Sequence, residues 1–317
     1  MKAAAACVPD KIRVYGPVPS RRLGFSLGVD LLPFKTCSMD CVYCQLGSSG
    51  KTTVRRREFV PVETILGQIK NALARKKPVD AITFSGSGEP TLHSGLGRII
   101  AGIRRMTKVK IVLLTNSAAL TGARARRDAA GADIVVPSLD AATQSVFARI
   151  NRPHAGLTVE KIIAGLAAFR REFKGQIWLE IMLVKGVNDG PAHLRALKKA
   201  IARIRPDRVQ LNTVVRPPAE KSARPLTHGE LEAAREALGG EAEIIADFSR
   251  EKRTEAPADP AAAIAETLLR RPMTAADLST SLGLPPEEVM AQLRRLEIGG
   301  RVRSAPHSGR VYYEPGR

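Results

Sequence analysis

The chain has 317 residues, 44% hydrophobic and 26% charged, an ordinary balance for a globular domain with a sizeable core. No stretch reaches the roughly 20 consecutive apolar residues of a membrane helix, which excludes a membrane-spanning bundle. Lys and Arg exceed Asp and Glu by 19, an excess that either points to a polyanionic partner, RNA or DNA first, or only keeps the surface solvated.

In chain order, "MKAAAACVPDK" has too short an apolar run for a signal peptide, stopped by Pro9, Asp10 and Lys11. The expectation is a cytoplasmic protein whose clustered cysteines stay reduced and serve metal or catalysis. "FSLGVDLLPF" alternates with Leu27, Val29 and Leu31 on one face and Asp30 on the other, so it reads as a strand. Val62, Ile65, Leu66, Ile69 and Leu73 then repeat at helical spacing. The unit recurs at "DAITF", "KIVLLTN", "DIVVP", "QIWLEIMLV" and "RVQLN", each followed by a helix-like segment. Six βα units call for a parallel sheet with right-handed crossovers. That is two short of a full barrel, so the α/β fold expected is a partial, open (β/α)6 TIM-like barrel, with a doubly wound sheet as the alternative. Either way the reactive groups belong at the C-terminal strand ends.

"EKRTEAPADP", residues 251–260, reads as a linker between a first domain, 1–250, and a second, 261–317. Ile264, Leu268 and Leu269 suggest one helix. "TAADLSTSLG" suggests a second, with Thr274 as N-cap and Gly283 after its end, and "PPEEVMAQLRRLEIGG" a third. "RVRSAPHSGRVYY" alternates around a turn, as a hairpin does. Three helices and a β-wing make a winged helix–turn–helix. Eight Arg face seven Asp and Glu over 257–317, leaving 42 Lys and Arg against 24 Asp and Glu in residues 1–256. The basicity therefore lies in the first domain.

"TCSMDCVYCQLG" holds Cys37, Cys41 and Cys44, three of the four cysteines. A structural zinc site wants four ligands, and Cys7 is thirty residues upstream. A [4Fe–4S] cluster has four irons suited to thiolates, so three cysteines leave one iron open for a substrate. "CSMDCVYC" resembles the CxxxCxxC signature of the radical S-adenosylmethionine (SAM) superfamily, with Tyr43 just before the last cysteine. The resemblance implies a [4Fe–4S] cluster that chelates SAM and cleaves it to a 5′-deoxyadenosyl radical, which abstracts hydrogen from a substrate. It also implies a reductant such as flavodoxin or ferredoxin.

By the same resemblance, Gly88, Glu89 and Pro90 of "FSGSGEPTLH" match the superfamily's "GGEP" element, with Ser87 in place of its first glycine. Glu89 is then the acceptor for the SAM ammonium; the alternative is a glycine-rich turn with a capping Glu. Asn116, Ser138 and Asp140 fall at strand ends, as contacts to the SAM ribose and carboxylate or as turn residues. Asn212 is carried over as a cofactor contact and Arg216 as a substrate contact, while Met182 is expected in the core.

"YGPVPSRRLGFSLGVDLLPFKTCSMDCVYCQLG", "SGEPTLH", "SLDAAT", "INRPH" and "LNTVVRPP" are similar to a bacterial–archaeal branch grouped with the tRNA wyosine-synthesising enzymes. Those synthases hold a second cluster on further N-terminal cysteines, and Cys7 alone cannot, so their pyruvate-condensing activity does not carry over. Lys51, Arg55, Arg56 and Arg57 after the cysteines, with Arg21 and Arg22, offer phosphate contacts for tRNA or another nucleic acid. Three readings follow: an RNA-modifying enzyme, an enzyme acting on a protein, peptide or small molecule, and a non-catalytic iron–sulfur regulator binding DNA. The SAM-contact motifs weigh against the last.

Overall fold

A computed structural model describes residues 12–20, 22–75, 78–245, 257, 259–269, 272–307 and 309–316. Cys7, Arg21 and most of the expected linker lie outside them. The short apolar runs form strands because both faces of a parallel sheet are covered, which suits unbroken Val, Ile and Leu. The sheet opens with β1 (Val14–Ser20), antiparallel to β2 (Gly24–Val29). β3 (Ala81–Phe84), β4 (Lys110–Thr115), β5 (Ile134–Pro137), β6 (Gln176–Leu183), β7 (Arg208–Thr213) and β8 (Glu243–Ile244) follow in parallel, in strict chain order. No ladder joins β1 to β8 among the described residues, so the barrel is open and the doubly wound alternative falls.

The six expected strands are β2 to β7. Two more were not expected. Gly16, Pro17 and Pro19 disguise β1 as a loop, and it is an edge strand whose register shifts between Tyr15 and Val18, where prolines are tolerated. The two residues of β8 are too few to leave a pattern.

Helices α1 (Val62–Ala74), α2 (Leu96–Met106), α3 (Ala123–Ala129), α4 (Gln144–Asn151), α5 (Val159–Glu172), α6 (Pro191–Ile204) and α7 (His228–Leu238) connect the strands. Their apolar faces join the strands in one core through Ile65, Ile99, Leu166, Phe169 and Leu197. The other face of the sheet, toward the lumen, is mixed: Ala81, Val112, Ile134, Val136 and Trp178 form a small separate apolar cluster beside polar side chains of β6 and β7. Arg22 Nη1 crosses the lumen to Glu180 Oε2 on β6 and Gln210 Oε1 on β7, each at 2.6 Å. Asn212 Nδ2 donates to the other oxygen of Glu180 at 3.1 Å. Glu180 and Met182 therefore face the lumen, half-buried, and Arg22 is a tie across the barrel, not a phosphate contact.

The C-terminal segment forms α8 (Pro260–Leu268), α9 (Ala275–Leu282), α10 (Pro286–Ile298), β9 (Val302–His307) and β10 (Arg310–Pro315). Thr274 caps α9 in a reciprocal box with Asp277, and Gly283 ends it at φ 66°. Ile264, Leu268, Leu278, Val289, Leu293 and Tyr313 build a separate core, while Leu269 is exposed past the end of α8. The wing is stitched to the barrel. Tyr312 OH donates to Val215 O at 2.6 Å and His307 Nε2 lies 3.1 Å from Val214 O, both just beyond β7. Helix α9 lies against β1, at the opposite edge of the sheet. No helix among the described residues is long and apolar enough to cross a membrane.

Replacing Arg22 by Ala removes a charged bond to half-buried Glu180 and one to Gln210, at a cost of roughly 1–3 kcal/mol. The check is a urea midpoint that falls while the denaturant slope is unchanged.

Candidate functional site

Residues 36–47 run between the end of β2 and α1 with almost no regular structure, so their backbone groups need partners from elsewhere. The end of α4 and the residues after it supply most of them. Asp40 N donates to Asn151 O at 3.1 Å, Val42 N to Ile150 O at 2.9 Å, and His154 N to Ser38 O at 2.9 Å. The segment "INRPH", quoted above only for its resemblance, is thus the brace of the cysteine loop. Two more bonds come from Thr53 N to Cys37 O at 2.8 Å and Glu89 N to Thr36 O at 3.0 Å. Gly88 is needed there: a Cβ on it would meet Thr36 O at 2.0 Å.

Inside the loop a buried ion pair sets the shape. Lys35, at φ 57°, places Nζ 3.1 Å from Asp40 Oδ1. Asp40 also accepts from Ser48 Oγ at 2.6 Å, Ser49 N at 3.2 Å and Gly50 N at 3.1 Å. Burial works to raise the Asp40 carboxyl, but Ser48, Lys35 and the two amides outweigh it and bring it down to about 2. Lys35 is held above its usual value, because Cys44 and Asp40 overcome the penalty of burial.

The three thiols are free and half-buried. Asn116 Nδ2 donates to Cys37 Sγ at 3.3 Å and Asn151 Nδ2 to Cys41 Sγ at 3.4 Å. Burial, with the charge of Glu89 second, pushes the Cys37 thiol up to about 12, and burial with Asp140 raises Cys41 also. Bound iron reverses that balance, since a coordinating thiol is deprotonated outright. Among the described residues no three His, Cys, Asp or Glu converge on one point as a single metal ion requires. The donor set itself, three thiols on one loop, is of the kind that holds an iron–sulfur cluster, whereas a structural zinc takes four ligands.

The strand-end residues gather beside the thiols. Glu89 caps a short turn, Pro90–Leu92, and its carboxylate is buried with four donors: Thr91 N at 3.0 Å, Thr91 Oγ1, Thr115 Oγ1 at 2.6 Å and Asn116 N at 2.6 Å. Three of these donors reach Oε1 and only Asn116 N reaches Oε2, so Oε2 keeps an acceptor position for the expected SAM ammonium. Asp140 is likewise engaged, by Tyr43 OH, Asn151 Nδ2 at 2.7 Å and Met182 N at 2.9 Å. Burial raises both carboxyls, against these hydrogen bonds. Ser138, half-exposed, shares with Asn116, Met39, Phe147 and Asn151 a small cleft in which the buried Asn151 Oδ1 has no partner. That orphaned acceptor fits a bound donor such as a nucleoside hydroxyl. Asn212, near the end of β7, pairs in register with Met182, whose amide donates to Asp140, and its side chain donates to Glu180. Arg216 is buried and reaches Gln45, next to Cys44, at 3.5 Å.

Asn151, Lys35 and Asp40 were not singled out from the sequence. Only the Pro153 break after an apolar helix hinted at the brace. The basic run also divides. Arg56 is half-buried, bonded to Asp128 at 2.5 Å and Thr91 O at 2.7 Å, and is structural. Lys51, Arg55 and Arg57 are exposed.

The sequence matches the Radical SAM superfamily model over residues 31–200 and the DprA winged helix domain over 249–307. A protein named GTPase Obg from Brachyspira hyodysenteriae is 37% identical over 95% of this chain, which spans 45% of that protein's length. The UPF0026 protein slr1464 of Synechocystis is 41% identical, over 64% of this chain and 76% of its own. The dual-specificity RNA methyltransferase RlmN of Nitratidesulfovibrio vulgaris is 29% identical over 58% of this chain and 51% of its own. Among solved structures, a radical SAM methyltransferase from Sphaerobacter thermophilus superposes with a TM-score of 0.51 at 16% identity, covering 71% of this chain and 66% of its own.

Glu89→Gln puts an amide against four donors. The expected cost is roughly 1–3 kcal/mol of stability, visible in urea unfolding without SAM; a change confined to SAM affinity would leave Glu89 to the ligand alone. Asp40 gives a pH test. Its lowered carboxyl stabilises the fold above its unfolded value near 3.8, and that share is lost as pH falls from there to about 2. The loss is about 2–3 kcal/mol by linkage. Acid unfolding of iron-free Asp40→Asn protein should lack this component, starting less stable at pH 7.

Proposed function

The chain belongs to the radical SAM superfamily, and from that premise we propose that it modifies RNA through a [4Fe–4S] cluster on Cys37, Cys41 and Cys44. The observation that carries the cluster is the loop itself: three free thiols held apart at the strand ends by backbone bonds from residues 53, 89 and 150–154. When bound, the cluster supplies the electron that cleaves SAM to a 5′-deoxyadenosyl radical. A flavodoxin or ferredoxin serves as reductant.

This chain's residues then have assigned roles. Asn116 and Asn151 donate to cysteine sulfurs, and hydrogen bonds to the sulfurs tune a cluster's potential. Gly88 lets the cysteine loop approach. Glu89 holds Asn116 and the turn; Asp140 holds Tyr43 and Asn151. Ser138 and Asn116 line the cleft and receive the nucleoside of SAM, with the buried, unpartnered Oδ1 of Asn151, another lining residue, as a further acceptor. Asn212, level with Met182 near the end of β7, is a further SAM contact. Residues 1–250 act as the catalytic domain and 261–317 as the wing, joined by 251–260.

RNA is favoured over a peptide by two facts. The excess positive charge lies in residues 1–256, and a relative sharing 58% of this chain is an RNA methyltransferase. The wing is poorly disposed to read nucleic acid. The first turn of α10, which would enter a groove, carries Glu287 and Glu288, and the hairpin is bonded to the barrel.

Anaerobically reconstituted protein should be brown with about four irons. Alanine at Cys37, Cys41 or Cys44 abolishes SAM cleavage, and Cys7→Ala leaves it intact; stoichiometric zinc would sink the cluster. Untargeted nucleoside profiling of a deletion strain should show one modified tRNA nucleoside missing, and purified protein should retain tRNA in a steeply salt-dependent way. Intact tRNA modification together with no retention at low salt moves the substrate to a protein or peptide.

A further inference from the structure

We propose that the rim of the barrel at the N-terminal ends of its strands, the end opposite the cysteines, docks the phosphate backbone of a folded RNA through Lys108, Lys110, Lys174 and Arg205. The proposal rests on the RNA reading above and adds that the substrate is long enough to span the barrel.

The parallel sheet decides which residues share this rim. Strands β2 to β7 run in one direction, so the segments that enter β3 to β7 lie at one end of the sheet. The cysteine loop, Glu89, Asn116 and Asp140 follow strands and lie at the other end. Lys108 and Lys110 enter β4, Lys174 enters β6 and Arg205 enters β7, and all four are exposed. The register keeps these entries together: Ile134 is level with Val112 and Gln176, and Arg208 with Trp178. Neighbouring strands lie about 5 Å apart, so the cations from β4 to β7 spread over roughly 15 Å.

The acids of the same rim are turned to the fold. Asp80, before β3, accepts from Phe25 N of β2 at 2.7 Å. Asp133, before β5, accepts from Ile111 N of β4 at 2.6 Å, and Asp207, before β7, from Ile177 N of β6 at 2.7 Å. Arg104 and Arg170 pair with the last two. Every second loop therefore carries an aspartate that holds a strand amide, and the loops between them carry lysines with no such duty. Among the described residues Lys108, Lys110, Lys174 and Arg205 form no ion pair. Arg208 differs: it pairs with Glu243 and lies 4.8 Å over the Trp178 ring, so it belongs to the fold. Arg205 ends α6 at φ 55°, where Gly or Asn is easier, and the position nonetheless holds a cation that points to no internal partner.

The rim is thus positive with its acids neutralised. Trp178, the large ring nearest it, is buried, so bases have no platform there and the chemistry is that of phosphate contact. The reacting nucleoside has to lie at the cysteine end. The eight residues of β6 alone rise about 26 Å between the two ends. One RNA reaches both only if its folded body runs along the outside of the barrel, whereas a short hairpin meets one end alone.

The test uses full-length reconstituted protein, with bulk tRNA as the long probe and a synthetic stem–loop cut from a tRNA as the short one. Lys108→Glu, Lys110→Glu and Lys174→Glu together should weaken tRNA retention about tenfold or more at low salt and flatten the slope of log affinity against log salt by about 3. Arg205→Asn, suited to the positive φ, should flatten it by about 1. SAM cleavage without RNA should be unchanged, and the stem–loop should bind more weakly than tRNA and equally to variant and wild type. An unchanged slope for tRNA in the triple variant overturns the proposal, as does a stem–loop held as tightly as whole tRNA. Retention lost only on Lys51→Glu, Arg55→Glu and Arg57→Glu overturns it too and places the RNA at the cysteine end. Should the triple variant not fold, Lys174→Gln alone decides, by a slope lowered by about 1 or left as it was. A wild type that retains no tRNA at low salt overturns the RNA reading itself, and shows this before any variant is made.

Discussion

Everything at the strand ends depends on how an irregular loop satisfies its backbone. The cysteine loop has no ladder of its own, and a buried amide or carbonyl without a partner is costly. Its long-range bonds come from residues 53, 89, 150–154 and 220, four segments that only the complete fold brings together. The thiol spacing is therefore a tertiary property. Local sequence sets three and then two residues between the sulfurs, but where they point is decided by the end of α4, more than a hundred residues on. Gly88 belongs to the same constraint, because a side chain there would strike Thr36 O and push the loop from the strand ends.

The second layer is carboxylates used as clamps. Asp40, Glu89 and Asp140 are all buried, and each is surrounded by donors. A buried carboxylate is tolerated when its acceptor positions are filled, and it then fixes every donor it holds. Asp40 ties the cysteine loop to residues 48–50, Glu89 ties the β3 turn to β4, and Asp140 ties β5 to Tyr43, α4 and β6. The site is stiff before any cofactor arrives, so little ordering remains to oppose binding.

What could be read from the sequence was what local patterns encode. The runs of Val, Ile and Leu in β2 to β7 and the helical repeat of Val62 to Leu73 gave the parallel sheet, and Thr274 with Gly283 gave the limits of α9. Three cysteines at this spacing carried their chemistry on their face. The strand β1 was hidden because edge strands accept the glycine and prolines that elsewhere break them. Asn151, Lys35 and Asp40 were hidden because nothing in "INRPH" or "PFKTCSMD" reveals the partner. Arg55, Arg56 and Arg57 look alike in sequence, yet one turns inward to Asp128 and two face solvent. Such a division follows only from where Asp128 stands. Glu89 carries a second role that local sequence did not show: beside the ligand role the resemblance implies, its carboxylate accepts from four internal donors.

The wing is best understood through the gap in the sheet. A barrel of six βα units falls short of closure, and among the described residues its edge strands, β1 and β8, do not pair with each other. Helix α9 lies against β1, while His307 and Tyr312 bind the carbonyls just past β7. The C-terminal segment therefore touches both sides of the open sheet, and Arg22 ties the same two sides from within the lumen. The residues beyond Val215 feel this directly, since Arg216 reaches Gln45 beside the last cysteine. A helix–turn–helix whose hairpin is spent on such contacts and whose third helix begins with two glutamates has little left for a nucleic acid groove. Its geometry suits bracing an incomplete barrel, and that brace ends at Val215, one residue before Arg216, which reaches Gln45 of the cysteine loop.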